Sequence, residues 1–197
     1  MQKSTYRHLI SFLLFTALSM PAWAQWQLNN EESALFYVTS KAAAISEINT
    51  FSRLAGEIDA DGRATLDIHL SSVDTAIEIR DQRMQEILFE VASYPLASIS
   101  INTDVRMLEN LSVGESRTNN VTYTLNLHGM SQTLSTELNL VKLAGNKIQI
   151  SSVSPIIINA GQFALAQGVE ALREVAGLPS INPNVLVTFS LVYQQAM

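Results

Sequence analysis

Leu66, Ile68 and Leu70 alternate with Thr65, Asp67 and His69, and Val121, Tyr123, Leu125 and Leu127 alternate with Thr122, Thr124 and Asn126. A two-residue period puts every second side chain on the same side of an extended chain, so each segment has one apolar face and one wet face. The same period runs through Leu134, Leu138 and Leu140, through Ile148 and Ile150, and through Val187, Phe189 and Leu191. Gln25 to Leu28 and Ala34 to Ser40 are further strands, although the run Leu35-Phe36-Tyr37-Val38 leaves the inward face of the second open. Lys41 to Ile48 reads equally as a helical turn or a strand. Asp61-Gly62, His128 to Gln132 and Gly145-Asn146 are turns, and Leu111 to Asn120 is a longer connection.

Against about eight such strands there are two amphipathic helices. Ile77, Met84, Ile87 and Leu88 recur at helical spacing, while Glu78, Arg80, Asp81, Arg83 and Glu86 take the other positions. Asp74 or Thr75 is expected to cap this helix, and Tyr94-Pro95 to stop it before Ser98, Ile99, Ser100 and Ile101 resume the strand period. The second helix, Gln167 to Ala176, places Val169, Leu172 and Val175 on one side and ends at Gly177 and Pro179. Two helices cannot cover eight apolar faces, so the sheet must cover itself as a sandwich or a closed barrel. Periodicity leaves those two open.

Lys3 and Arg7 precede an apolar run from Leu9 to Leu18, followed by Ala22-Trp23-Ala24. This reads as an export leader, residues 1–24, cleaved after Ala24, because the run is short of the ~20 residues a membrane span needs. Residues 25–197 then form one domain with no linker and no transmembrane segment. Twelve basic residues against eighteen acidic ones give a net charge of −6, which argues against nucleic acid as a partner. There is no cysteine, so an exported chain of this kind relies on its core rather than on disulfides.

Chemistry is sparse. His69 and His128 are the histidines outside the leader, and neither has a second histidine at ligand spacing, so no metal site is expected. Asp59, Asp61 and Gly62 lack the remainder of a calcium loop, and a solvent-facing turn would raise neither carboxylate to act as an acid. No nucleophile elbow or phosphate-binding loop is present, and no catalytic residue is assigned. The strand phases put no buried polar pair among the inward side chains.

The run Ser72-Val73-Asp74-Thr75, then Arg80-Asp81, Phe89 and Tyr94-Pro95 resembles the signature of the YceI-like family of lipid-binding periplasmic proteins. Phe51 to Gly56 and Leu125-Asn126-Leu127-His128-Gly129 resemble two further family segments, while Asn49 and Leu54 stand where the family often has glycine and phenylalanine. The stretch Gln167 to Pro183 is longer than the family's usual one. The resemblance implies an all-β, lipocalin-like antiparallel barrel with an apolar interior, a periplasmic location, and an isoprenoid-like or other long-chain lipid as ligand and partner. No other cofactor is implied. Joined to the strand phases, it makes Leu66, Ile68, Leu70, Ile99, Ile101, Tyr123, Leu125, Leu127, Leu138, Leu140, Phe189 and Leu191 the expected lining of a tail site. Arg80 would then either fix the first helix to the barrel or meet an acidic headgroup. The alternative is a solid barrel whose surface engages a partner in a stress or interaction role, since a small barrel is filled by side chains as readily as by a ligand.

Overall fold

The computed structural model describes residues 25–196, so the leader reading of residues 1–24 lies outside the described residues. In chain order the strands are β1 (Trp26–Leu28), β2 (Ala34–Lys41), β3 (Ile45–Phe51), β4 (Leu54–Ile58), β5 (Arg63–His69), β6 (Val73–Asp74), β7 (Leu96–Asn102), β8 (Ser116–Leu127), β9 (Met130–Leu143), β10 (Lys147–Ser152), β11 (Ile156–Asn159) and β12 (Asn184–Gln195). Three helices, α1 (Glu78–Arg83), α2 (Val105–Glu109) and α3 (Ala166–Val175), interrupt them. Eight strands form a closed antiparallel ring in the order β1-β4-β5-β7-β8-β9-β10-β12, and Trp26 opposite Gln195 joins the last to the first. The sheet covers itself as a barrel, and within that ring no ladder edge is left open.

β12 spans two different halves of this barrel. Its later residues pair with β10 (Ile150 opposite Leu191) and with β1, whereas its earlier residues pair with β2 (Phe189 opposite Leu35) and β11 (Val187 opposite Ile156). Beyond β2 the wall continues through β3 to the short β6. The half that contains β1, β4 and β10 is therefore sealed by strands. The opposite half is completed by helices, with α3 packed on the chain just after α1.

The sealed half is also filled. Trp26, Ile58, Leu108 and Ile148 are all but inaccessible, and Leu111, Leu138, Leu140, Leu191 and Tyr193 pack with them. Lys142 is buried there with its Nζ 4.7 Å from the centre of the Trp26 ring, a cation held over an aromatic face. α2 closes this end, and its start is capped by the Asp104 carboxylate accepting from the Arg106 amide at 3.0 Å. The sequence pattern did not reveal α2. It also placed a connection over Leu111 to Asn120 where β8 already begins at Ser116, because Arg117 to Asn120 are polar on both faces yet stay in register with β9 (Arg117 opposite Leu140).

The helical stretch after β6 differs from expectation in its cap and its end. Asp74 accepts from the Ala76 amide at 2.8 Å in a local turn, and no side chain caps α1, whose preceding residue is Ile77. α1 runs directly into a wider π-type turn over Met84–Leu88, with the Phe89 amide donating to the Met84 carbonyl at 2.9 Å. The helix is over by Glu90, which takes the left-handed conformation (φ 48°), so Tyr94-Pro95 does not end it. β2 and β3 are joined by a tight turn at Ala42 to Ala44, which settles Lys41 to Ile48 as turn and strand.

Candidate functional site

The half of the barrel opposite Trp26 is hollow. Its cavity has a volume of about 420 Å³, within the range typical of small-molecule sites, and its wall is almost entirely carbon. Leu66, Ile68, Leu70 and Ile99 line it from β5, the turn after β5, and β7. Tyr123, Leu125 and Leu127 line it from β8, and Phe189 from β12. Ile101, Leu138, Leu140 and Leu191 do not. They face inward as their strand phase requires, yet they are absent from the lining of this cavity and belong to the apolar core that also holds Trp26 and Ile148. Phase tells which side of a strand faces in; it does not tell how far along the axis the interior is occupied.

Residues that the periodicity did not assign supply much of the wall. Leu35, Tyr37, Asn49 and Phe51 enter from β2 and β3, and Ile156 and Ile158 from β11. Leu35 pairs directly with Phe189, and that pairing, absent from the linear pattern, sets the inward phase of β2. Met84, Leu88 and Phe89 line the cavity from the π-type turn and its end. From α3, Val169 and Leu172 line the cavity, whereas Val175 is half-exposed on another face. Gly168 lets α3 approach closely, since a Cβ there would lie 2.9 Å from the Ile87 carbonyl oxygen.

A ladder of aromatic rings forms one side of the cavity. Tyr37 stacks on Phe51 at 5.3 Å between centroids, and Phe51 meets Phe89 at 5.9 Å. Tyr37 and Asn49 are opposed across β2 and β3, both inward and both buried. The Asn49 amide donates to Thr39 Oγ1 at 3.2 Å, while among the described residues its Oδ1 has no donor. Tyr37 Oη has only the Met84 thioether, 4.0 Å away. Burial, and after it the charge of Asp81, pushes the Tyr37 phenol far above its ordinary value, so it remains a neutral donor. A buried polar pair is thus present where the strand phases suggested none.

The exposed rim runs from Ile77 and Ile79 at the start of α1 to Asn182 and Pro183 before β12. Just inside it, Arg80 donates to Glu47 Oε2 at 2.7 Å, to Thr75 Oγ1 at 2.8 Å and to the Thr75 carbonyl at 2.6 Å. Asp81 accepts from the Thr75 amide at 2.9 Å and from its hydroxyl. Thr75 is therefore gripped by α1 instead of capping it. Lys41 Nζ lies 2.8 Å from the same Glu47 oxygen, and this bond, with Arg80 beside it, holds the Glu47 carboxyl below its ordinary value of 4.5. Lys41, Arg80, Glu47 and Asp81 form a charge-balanced collar that fastens α1 to β3.

His128 takes the left-handed conformation (φ 51°) in the two-residue turn between β8 and β9, as a turn residue. Its ring packs on Tyr94 at 4.4 Å, with Nε2 3.6 Å from Glu90 Oε1. His69 is half-exposed on the outer face of β5. Among the described residues no group of histidine and carboxylate side chains is arranged to hold a metal ion, and no helix is long and apolar enough to cross a membrane.

A closed eight-stranded barrel, filled at one end and hollow at the other, defines the class to which the chain belongs. The model of the YceI-like domain matches residues 26–193, and the chain belongs to that family. It is similar to the solved structure of a polyisoprenoid binding domain from Saccharophagus degradans implicated in plant cell wall breakdown. That likeness has 36% identity, covers 88% of this chain and 99% of the other, and has a TM-score of 0.86. BcnA of Burkholderia cenocepacia shares the fold at 17% identity, with 84% and 98% of the two chains covered and a TM-score of 0.65. A Campylobacter jejuni YceI protein shares it at 16% identity, with 76% and 84% covered and a TM-score of 0.53. No curated protein matches the chain.

Proposed function

We propose that this protein is an exported, periplasmic carrier that keeps the tail of an isoprenoid-like lipid out of water inside the hollow half of its barrel. The observation that carries this reading is the carbon-walled cavity of about 420 Å³, buried at one end by the Trp26 cluster and open at the Ile77 to Pro183 rim. Its support from comparison is the polyisoprenoid-binding domain to which the chain is 36% identical over nearly that whole domain. Each methylene moved from water into the cavity contributes about 0.8 kcal/mol, a gross gain from which the costs of association are subtracted. No covalent step is part of the reading: the protein binds, shields and releases.

The Lys41, Glu47, Arg80 and Asp81 collar has a structural role in this account, because its cations already meet carboxylates and hold α1 over the cavity. Native mass spectrometry of the purified protein tests the proposal. It is expected to show a co-purified lipid, or stoichiometric uptake of an added polyprenol after delipidation. Protein that carries no lipid and takes up no long-chain amphiphile would overturn it.

A further inference from the structure

Three tips frame the mouth of the cavity, and all three are apolar. The turn between β2 and β3 reads Ala42-Ala43-Ala44 and leads into Ile45, Ala76 and Ile77 lead into α1, and Ala176, Gly177, Leu178 and Pro179 follow α3. They are tied into one rim. The Ala42 amide donates to the Ser180 carbonyl at 2.9 Å and Lys41 bridges Ile181, which joins the first tip to the third, while Arg80 on Glu47 joins the second to the first. Ala43 and Ile45 on the first tip, Ile77 and Ile79 on the second, and Pro179 on the third are exposed. Ala42, Ala43 and Ala76 hold left-handed conformations (φ 46°, 61° and 60°), where glycine, asparagine or aspartate would be less strained. The tips thus carry methyl groups at turn positions that polar residues ordinarily fill.

Ile77, Ile79 and Leu178 belong both to the tips and to the cavity wall, so the apolar lining reaches the outer surface at the mouth. Resting on the lipid-carrier reading, we infer that the three tips dock on the surface of a lipid bilayer, so that the tail passes between bilayer and cavity without crossing water. Charge selects the kind of surface. Lys41 and Arg80 both bond Glu47, Arg173 bonds Glu170 and lies beside Glu174, and Glu78 stands exposed between Ile77 and Ile79. Arg83 is the lining cation without a carboxylate bond among the described residues. A rim whose other cations are already matched gains little from anionic headgroups, so docking is by apolar contact with a zwitterionic bilayer and is insensitive to salt. A second copy docked mouth to mouth would cover the opening through which the tail must pass.

The test loads the protein with a fluorescent prenyl alcohol and follows its transfer to acceptor vesicles of phosphatidylcholine. Docking makes the transfer rate rise in proportion to vesicle concentration, whereas escape of the tail through water gives a rate independent of it. Ala43→Asp and Pro179→Asp are each expected to slow transfer roughly tenfold, because a carboxylate must then be desolvated at the contact. Neither side chain lines the cavity, so equilibrium binding of the probe and the thermal melt should match the parent in both variants. Ala43→Gly, which relaxes the turn without adding charge, should transfer at the parent rate. Added salt or phosphatidylglycerol should change the rate by less than about twofold. A rate independent of vesicle concentration overturns the docking and leaves the carrier reading intact. So does a parent rate in both aspartate variants, equal slowing in Ala43→Gly, or a rate governed by salt and anionic lipid. Sedimentation that shows a parent dimer broken by Ala43→Asp would give the tips to a second copy and overturn the docking as well. Protein that takes up none of the probe overturns both readings.

Discussion

Leu125→Trp and Leu138→Trp are the same change at two inward positions, and the half-filled barrel makes their outcomes opposite. Leu138 sits in the packed half and is buried against the Trp26 cluster, so a larger ring there has nowhere to go. Overpacking of that kind costs about 1–3 kcal/mol, or roughly 3–10 °C of melting temperature for a domain of this size. Leu125 is just as buried, but it borders the 420 Å³ cavity, and the indole can grow into that space with a loss below about 1 kcal/mol. What Leu125→Trp gives up is room for tail. Displacing three or four methylenes at ~0.8 kcal/mol each weakens binding by ~2–3 kcal/mol, roughly 30- to 150-fold. Thermal melts and polyprenol titrations of both variants supply the readout. If the two variants lose the same stability, and Leu125→Trp binds as the parent does, the division of the interior into filled and hollow halves is wrong.

Further outcomes follow from the same geometry. Trp26 is the one tryptophan left once residues 1–24 are removed and lies outside the cavity, so its fluorescence should not change on loading with lipid, and Trp26→Ala should lose about 3–5 kcal/mol in denaturant unfolding. Glu47 has its carboxyl lowered when folded, so its contribution is present above pH 4.5 and is lost as pH falls through the lower folded value; acid melts of Glu47→Gln should lack that component. Gly168→Val would drive a side chain into the Ile87 carbonyl and Leu88, costing about 1–3 kcal/mol. Hydrogen exchange should then rise over Met84 to Tyr94 while the strands around Trp26 stay protected.

The two-residue period located the strands whose outer faces are polar, such as β5 and the later part of β8, and with them Leu66, Ile68, Tyr123, Leu125 and Leu127 on the cavity wall. It was weakest where both faces have the same character. Leu35-Phe36-Tyr37-Val38 is apolar throughout because the outer row Ile157, Leu186, Val38 and Ile48 is itself apolar and in part strongly exposed, and only pairing with Phe189 fixes its phase. The Tyr37 and Asn49 pair was hidden by that same ambiguity. Arg117 to Asn120 is the reverse case, polar on both faces yet strand, because an extended hairpin can outrun the core it encloses. The signature Thr75, Arg80 and Asp81 was visible as a group, but the direction of its bonds was not, since a threonine before a helix reads as a cap. No one-dimensional pattern records how far the Trp26 packing extends along the axis, and that extent separates Ile101, Leu138, Leu140 and Leu191 from the cavity.

A crystal structure of the protein loaded with a prenyl alcohol examines the central claim most directly. The account predicts a chain of density inside the cavity, bordered by Tyr37, Leu66 and Leu125, with Leu138, Leu140 and Leu191 unmoved in the filled half. An empty cavity, with the alcohol bound instead along the exposed outer row Ile157, Leu186 and Ile48, would contradict it.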